Sequence, residues 1–247
     1  MKRPNKKEER KPSEIRLNRY IANAGVCSRR EADTLIADGK IKVNGKVVRE
    51  MGYKVKKGDK VVFQGRQLKS ETHQYVLLNK PKGFVTTMKD PHAKHTVMEL
   101  VEKACDERIY PVGRLDKDTT GLLLFTNDGE TAKKLTHPSH KVRKIYQVEL
   151  DEPITKSDFE KIISGLELED GLAPVSELAI IGDDSRNLGI EVHIGRNRIV
   201  RRIFQHLGYK VKKLDRVMFG NLTKKNLPRG KFRHLGPKEV MALKGVK

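Results

Sequence analysis

The fold is decided by residues 110–129, which read Tyr110-Pro-Val-Gly-Arg-Leu-Asp-Lys-Asp-Thr-Thr-Gly-Leu-Leu-Leu-Phe-Thr-Asn-Asp-Gly129. An apolar strand enters this stretch, a polar turn carries Arg114, Asp116 and Asp118, and a more apolar strand leaves it. A carboxylate between two rigid strands is well placed for chemistry. An Asp in a turn also commonly caps backbone N–H groups, and the residues alone favour that interpretation. Asp116 and Asp118 could also act as acid and base or bind a metal.

The sequence around this stretch alternates between short strands and helices. The clearer helices are 155–163 and 199–207, and the predicted strands are 75–78, 122–125, 145–150, 178–181 and 189–194. Because the strands are short and not regularly separated by helices, we expect an α+β domain with a mixed, mostly antiparallel sheet over residues 75–247.

A smaller module precedes this domain. Apolar residues between Leu17 and Ala24 follow a helical period, Ser28 and Glu31 have the spacing of a capping box, and Asn44-Gly45 predicts a hairpin. We therefore predict a helix-helix-hairpin domain over residues 14–63. A disordered basic tail is expected over 1–13 and a linker over 64–74.

Charge indicates the partner of this chain. The formal net charge is +20, and it divides into +11 for residues 1–74, −5 for 75–195 and +14 for 196–247. Solubility does not require such an excess, so a polyanion, with nucleic acid first, is the expected partner. Basic residues of the small module cluster near the start of its second helix and on the hairpin. The candidate RNA contacts there are Arg29, Arg30, Lys40, Lys42 and Lys46.

Several classes of protein are disfavoured by composition. No apolar run approaches the length of a membrane span, and the basic N-terminus lacks the apolar stretch of a secretory signal, so we expect a cytoplasmic protein without membrane contact. Two cysteines cannot build a disulfide framework or a four-thiolate zinc site. Glycine-rich phosphate loops are absent, and the paired histidines lack metal-site surroundings. We therefore expect neither a metal nor a nucleotide cofactor.

Two resemblances narrow the function. Residues 16–33 together with Ile41-Lys-Val-Asn-Gly45 resemble the S4-like RNA-binding module, which implies RNA without naming a reaction. Residues 113–129 resemble the signature of rRNA pseudouridine synthases of the RsuA group. Further matches to that group are Asn79-Lys-Pro-Lys-Gly83, His137-Pro138, Lys144-Ile-Tyr146, Gly195–Phe204, Leu214–Gly220 and Leu227–Leu235.

The second resemblance implies a catalytic apparatus. Asp116 stands at the position of the family's catalytic carboxylate, Arg201 at that of its basic partner, and Tyr146 at that of a tyrosine that contacts the extruded base. We expect an ion pair between Asp116 and Arg201, with Arg202 as the alternative if the register slips by one. Arg114 is expected to brace the flipped nucleotide. Arg198, Arg201 and Arg202 are retained although Ile199 replaces the Gln of many members, and Arg198 and Arg202 are expected to contact RNA.

The resemblance implies an intramolecular isomerase that acts without a cofactor on ribosomal RNA or a ribosomal assembly intermediate, with a monomer as the default state. The basic C-terminal region and the Arg-x-x-Arg-Arg pattern favour large-subunit over small-subunit rRNA. Attack of Asp116 on the sugar and attack on the base both remain open. One alternative is a non-catalytic RNA-binding factor of ribosome assembly, and another is a hydrolase that uses Asp116 with Asp118.

Overall fold

The computed structural model describes residues 14–246. The tail predicted over residues 1–13 lies outside the described residues. Contacts divide the chain into two compact units, one that ends at Thr72 and one that begins at His73. Within the described residues, no helix is both long and apolar enough to cross a membrane.

The first unit has the predicted two helices followed by small strands. Its elements are β1 (Ile15–Arg16), α1 (Leu17–Asn23), α2 (Arg29–Ala37), β2 (Ile41–Val43), β3 (Lys46–Val47), β4 (Lys54–Val55), β5 (Val61–Phe63) and β6 (Arg66–Gln67). The strands form an antiparallel sheet in the order β3-β2-β5-β6 and a separate pair of β1 with β4.

Local chemistry explains these elements. The Ser28 hydroxyl accepts from the Glu31 N–H and the Glu31 carboxylate accepts from the Ser28 N–H, which is the predicted capping box. Asn44 and Gly45 both have positive φ, as the turn of a two-residue hairpin requires. The predicted linker is partly wrong. Gln64 and Gly65 repeat this turn geometry, so that β6 joins the sheet, and Leu68 is buried.

The second unit holds the larger sheet and four helices of the described chain. Its elements are β7 (Tyr75–Lys80), β8 (Tyr110–Pro111), β9 (Thr120–Thr126), α3 (Gly129–Thr136), a 3-10 turn (Pro138–His140), β10 (Lys144–Leu150), α4 (Lys156–Ser164), β11 (Leu166–Leu168), β12 (Gly171–Ala173), β13 (Glu177–Ile180), β14 (Asn187–Val192), α5 (Ile199–His206), β15 (Val211–Phe219), β16 (Leu222–Thr223), β17 (Phe232–His234) and α6 (Pro237–Lys244).

The nine-stranded sheet is antiparallel except where β15 runs parallel to β9, so the prediction of a mixed, mostly antiparallel sheet is confirmed. The main strand order is β13-β14-β10-β15-β9-β7-β17, with β8 paired to β9 and β16 to β15. At the parallel pair, Gly121 lies opposite Arg216, and a side chain on Gly121 would collide with the Arg216 backbone. The sheet is therefore closely packed at the point where the polar turn 113–119 enters β9.

Buried apolar side chains fix the two halves of this sheet. β7 is buried along its whole length, and in β9 the residues from Gly121 to Thr126 are buried. One apolar cluster packs α4 and α5 against β10, β14 and β15, and two others cover β7 and β9. β9 is buried and β8 pairs with it, so the loop between β8 and β9 is held from both ends.

Candidate active site

A cavity of about 890 Å³ opens in the second unit. It lies where the turn between β8 and β9 meets β10, β15 and the start of α5. The lining includes the apolar Leu115, Ile199 and Phe219. Polar and charged side chains of the lining include Arg114, Asp116, Thr119, Lys144, Tyr146, His193, Arg198 and Arg216. A concave site that combines apolar walls with convergent polar groups is typical of small-molecule or base binding.

The turn that carries Asp116 is held by its backbone. The Asp116 carbonyl accepts from the Thr119 N–H at 3.0 Å, which closes the turn. The Thr86 hydroxyl donates to the Leu115 carbonyl at 2.7 Å and accepts from the Leu115 N–H at 3.2 Å. Both bonds involving Thr86 are buried. The direction of the Asp116 side chain is therefore set by backbone contacts on either side of it.

Lys80 supports the same turn from beneath. Its side chain is fully buried, and its Nζ lies 3.0 Å from the Asp116 carbonyl oxygen, 2.8 Å from that of Thr119 and 3.3 Å from that of Lys117. Burial lowers the pKa of Lys80 to about 8, while the charges of Asp116 and Asp118 oppose that change. The sequence analysis assigned Lys80 no role. A lysine at the end of an apolar strand was the available signal, since lysine is rarely buried without a reason.

The ion pair of Asp116 differs from the prediction. Arg198 Nη1 lies 3.1 Å from Asp116 Oδ2, whereas Arg201 makes no hydrogen bond to that carboxylate. Arg198 precedes α5 with φ of 48°, a left-handed conformation that is uncommon outside glycine. The pair is partly open to solvent, with the Asp116 side chain 34% exposed and that of Arg198 47% exposed.

Arg201 is directed towards backbone oxygens instead. Its Nη1 donates to the Val211 carbonyl at 2.8 Å, its Nη2 lies 3.5 Å from the Asp118 carbonyl, and its buried Nε has no hydrogen-bond partner. Burial and the charge of Arg198 lower the pKa of Arg201, and Asp116 and Asp118 oppose this. Arg201 therefore acts on Asp116 through the electrostatic field rather than through direct contact.

Arg202 does not serve as the alternative partner of Asp116. Its guanidinium donates to the Asp170 carboxylate at 2.8 Å and to the Asn197 carbonyl at 3.0 Å. Arg196 also pairs with Asp170, at 2.9 Å. Successive residues of a helix point in different directions, so Arg202 cannot take the place of Arg201 without rewinding α5.

The other two residues predicted for this site line the cavity. Tyr146 is half-buried on β10, between Arg216 of β15 and Ile190 of β14 in the register of the sheet. Arg114 is exposed on the turn, two residues before Asp116. The structure thus brings Arg114, Asp116, Tyr146 and Arg198 to one cavity.

The end of β7 and the C-terminal region are joined close to this site by an ion pair and hydrogen bonds. Asp215 on β15 pairs with Arg229, whose Nη1 also donates to the Asn79 side chain at 2.6 Å. Burial would raise the pKa of Asp215, and hydrogen bonds from Arg229, Lys224 and Thr120 more than offset this and lower it. These contacts tie the end of β7, which carries Lys80, to the C-terminal region.

Four of the predicted RNA contacts in the first unit are exposed and form no ion pair with residues 14–246. Arg29 and Arg30 lie in the first turn of α2, and Lys42 and Lys46 lie on β2 and β3. The Lys40 ammonium is 2.9 Å from the Asp38 carboxylate. The capping box places the negative carboxylate of Glu31 at the start of α2, which weakens that helix end as an anion site.

No metal cluster accompanies these sites: over residues 14–246, no group of three or more His, Cys, Asp or Glu side chains could hold an ion. The cavity therefore offers one carboxylate, cations, a tyrosine and buried hydrogen-bond donors as its chemical groups. That set suits the binding and covalent chemistry of a flipped base.

Comparison with known proteins assigns both units. Residues 74–206 match the family of RNA pseudouridylate synthases and residues 15–61 match the S4 domain. Ribosomal large subunit pseudouridine synthase B of Bacillus subtilis is 40% identical over 235 residues, covering 94% of this chain and 96% of that protein. An uncharacterized RNA pseudouridine synthase of Aquifex aeolicus is 38% identical over 93% of this chain and 94% of its own length.

A solved structure agrees with these sequence matches. A crystal structure of a pseudouridylate synthase superposes with a TM-score of 0.67 at 31% identity, covering 93% of this chain and 99% of the other. The matched region 74–206 contains the turn with Asp116 and the strand with Tyr146. The chain belongs to the RNA pseudouridylate synthase family and carries an S4 domain ahead of its catalytic unit.

Proposed function

We propose that this chain isomerises a uridine of large-subunit ribosomal RNA to pseudouridine, with Asp116 as the catalytic carboxylate. The observation that carries the proposal is the carboxylate on the wall of the 890 Å³ cavity, on a rigid turn and beside a tyrosine and two arginines. The large-subunit substrate is supported by the name of the Bacillus subtilis relative, ribosomal large subunit pseudouridine synthase B.

The reaction requires little beyond these groups. The bond between N1 of uracil and C1′ of ribose breaks, the base turns, and a new bond forms between C5 and C1′. The proton on C5 leaves and N1 gains one, so no atom or electron is added overall. The Asp116 carboxylate acts at C1′ or on the base, held in a direct ion pair with Arg198. The chemistry itself therefore calls for no cofactor.

The target base must leave its stack to reach Asp116, at a cost of about a few kcal/mol. Contact with Tyr146 offsets part of that cost, since stacking of a base on an aromatic ring contributes about 1–3 kcal/mol. We assign Arg114 to the backbone of the flipped nucleotide because it is exposed beside the cavity. Arg202 is the weakest candidate for RNA contact because Asp170 already holds its guanidinium.

The first unit supplies affinity in this proposal. Arg29, Arg30, Lys42 and Lys46 are exposed and contact the RNA backbone, while Lys40 would first have to leave Asp38. We propose that the chain acts as a monomer. A cytoplasmic location, where ribosomal RNA is assembled, follows from the substrate.

The proposal is tested with unmodified transcripts of large- and small-subunit rRNA that carry tritium at C5 of uridine. We expect the protein to release tritium from the large-subunit transcript and not from the small-subunit one. Release from the small-subunit transcript alone would contradict the assignment of large-subunit rRNA as the substrate. Binding of both transcripts without release from either would favour the non-catalytic assembly factor instead.

A further inference from the structure

Two buried polar groups on the cavity wall have no hydrogen-bond partner. Arg216 is 3% exposed and its Nη2 is unpaired, and Thr119 is 2% exposed and its hydroxyl is unpaired. Only four buried side-chain nitrogen or oxygen atoms in the described part of the chain lack a partner, and two of them belong to residues that line the cavity. A buried polar atom without a partner destabilises the folded chain, so its presence calls for an explanation.

The orientation of Arg216 is fixed by its other contacts. Its Nε donates to the Leu122 carbonyl at 2.8 Å, and its guanidinium carbon lies 4.6 Å from the centre of the Phe219 ring. The guanidinium therefore cannot turn to find another acceptor without breaking a buried bond. Nη2 is held in this orientation without an acceptor in the described residues, so it is a donor left for a ligand.

The surrounding charge indicates an acceptor that carries negative charge. Lys144 lines the same cavity, and its Nζ donates to the carbonyls of Val142 and His193. Burial and the nearby charge of Arg216 lower the pKa of Lys144 to about 8. Between residues 14 and 246 no carboxylate forms an ion pair with Arg216 or Lys144. The wall thus carries two cationic side chains, and one of them, Arg216, has an unpaired donor.

The buried position of Arg216 favours a base over a phosphate as its ligand. A phosphodiester carries a ribose on each side and stays near the rim, where the exposed Arg114 and Arg198 lie. A flipped base can reach the buried wall. Its carbonyl oxygens become more negative during the reaction, because the electron pair of the broken N1–C1′ bond stays with the base and spreads onto them.

We propose that Arg216 Nη2 donates to a carbonyl oxygen of the target uracil, with the Thr119 hydroxyl on the same edge of the base. The contact stabilises the negative charge on the detached base, and a contact to O4 also selects uracil over cytosine. This inference rests on the proposed function. Cytosine carries an amino donor in place of the O4 acceptor, and a site built around a hydrogen bond strongly rejects an analogue that cannot make it.

The experiment replaces one oxygen at a time in the substrate. An rRNA fragment containing the target uridine is made with uridine, 2-thiouridine or 4-thiouridine at that position, and rates are compared for wild type, Arg216→Met and Thr119→Val. Arg143→Met is the control, since Arg143 pairs with Glu191 and does not line the cavity. Thermal unfolding establishes that each variant is folded.

We expect Arg216→Met to lower kcat on uridine by about 10²–10³, as removal of a preorganised donor does elsewhere. Sulfur accepts hydrogen bonds weakly, so one of the two thio-substitutions should slow wild type and Arg143→Met by about tenfold. The same substitution should slow Arg216→Met by about twofold or less, because that variant has no guanidinium to donate to the substituted atom.

If each thio-substitution slows wild type, Arg216→Met and Thr119→Val by the same factor, the inference is overturned while the proposed function stands. Absence of product from wild type on uridine would overturn the proposed function, and the inference with it. If Arg216→Met does not fold, Thr119→Val, which changes only a hydroxyl to a methyl group, carries the same comparison.

Discussion

Asp116 is positioned by interactions of different strength above and beneath it. The ion pair with Arg198 is partly solvated, and exposed pairs contribute about 0–1 kcal/mol. The ammonium of Lys80, in contrast, is fully buried and donates to carbonyls of the turn, including that of Asp116. We infer that Lys80 fixes the geometry of the carboxylate, and that the solvated pair with Arg198 contributes less to it.

Lys80→Met tests this division. The carbonyls of the turn lose their donor, so we expect the free energy of unfolding to fall by about 2–4 kcal/mol. The turn that carries Asp116 should loosen, and kcat should fall by about tenfold or more with little change in KM. Chemical denaturation and single-turnover kinetics measure the two effects.

Lys82→Met is the matched control, because Lys82 is exposed in the same motif. It should leave both kcat and stability unchanged. Equal activity of the Lys80 and Lys82 variants would show that the buried ammonium does not position the carboxylate.

The arginine that pairs with Asp116 shows how far the sequence could predict individual contacts. The resemblance placed an arginine beside Asp116, but Arg198 immediately precedes α5 and Arg201 lies in its first turn, three residues later. Which guanidinium reaches the carboxylate depends on the left-handed backbone at Arg198 and on the Val211 carbonyl that holds Arg201. Both depend on tertiary contacts, which the local sequence does not encode.

At the scale of elements, α3 is anchored by a buried carboxylate at its start. Asp128 accepts from the N–H groups of Glu130 and Thr131 and from the hydroxyl groups of Thr131 and Tyr75. Burial would raise the pKa of Asp128, but these hydrogen bonds more than offset it and lower the pKa to about 2. The carboxylate therefore links α3 to β7.

This link makes stability depend on acid pH. The pKa of Asp128 is lower in the folded than in the unfolded chain, so its contribution of about 2 kcal/mol is present above pH 4 and lost as the pH falls towards 2. Asp128→Asn should lower the free energy of unfolding at pH 7 and flatten its dependence between pH 4 and 2. Asp106→Asn, on an exposed side chain, is the control and should keep the wild-type profile.

Elements with strong local signals were predictable. The capping box at Ser28, the Asn44-Gly45 turn and the apolar period of α5 lie within a few residues of the structure they determine. The parallel pairing of β15 with β9 joins residues about a hundred positions apart, and no local pattern specifies it. The wall formed by Thr119 and Arg216 arises from that pairing, which is why the sequence analysis did not identify it.

At the scale of the whole molecule, the excess of positive charge sets the binding of RNA. The net charge is +20, and the excess lies in the segments before residue 75 and after residue 195. Cations that neutralise phosphates release bound counterions, so affinity should fall steeply with salt, by about 10³ between 50 and 200 mM for six contacts. Filter binding over a salt series measures this slope.

Neutralising two exposed lysines tests where the RNA binds. Lys42→Gln combined with Lys46→Gln should reduce the salt slope by about 2, or about 1 for each phosphate that is no longer neutralised. Lys161→Gln is the control, because Lys161 pairs with Asp158 in the acidic middle of the chain. An unchanged slope in the double variant would remove these lysines from the RNA interface.

The most direct measurement compares Asp116→Asn with Asp118→Asn on rRNA carrying tritium at C5 of uridine, with RNA binding measured alongside. Both carboxylates belong to one turn, and only that of Asp116 pairs with Arg198. We expect wild type and Asp118→Asn to release tritium, and Asp116→Asn to bind RNA without releasing any. Release by Asp116→Asn at the wild-type rate would contradict the assignment of Asp116 as the catalytic carboxylate.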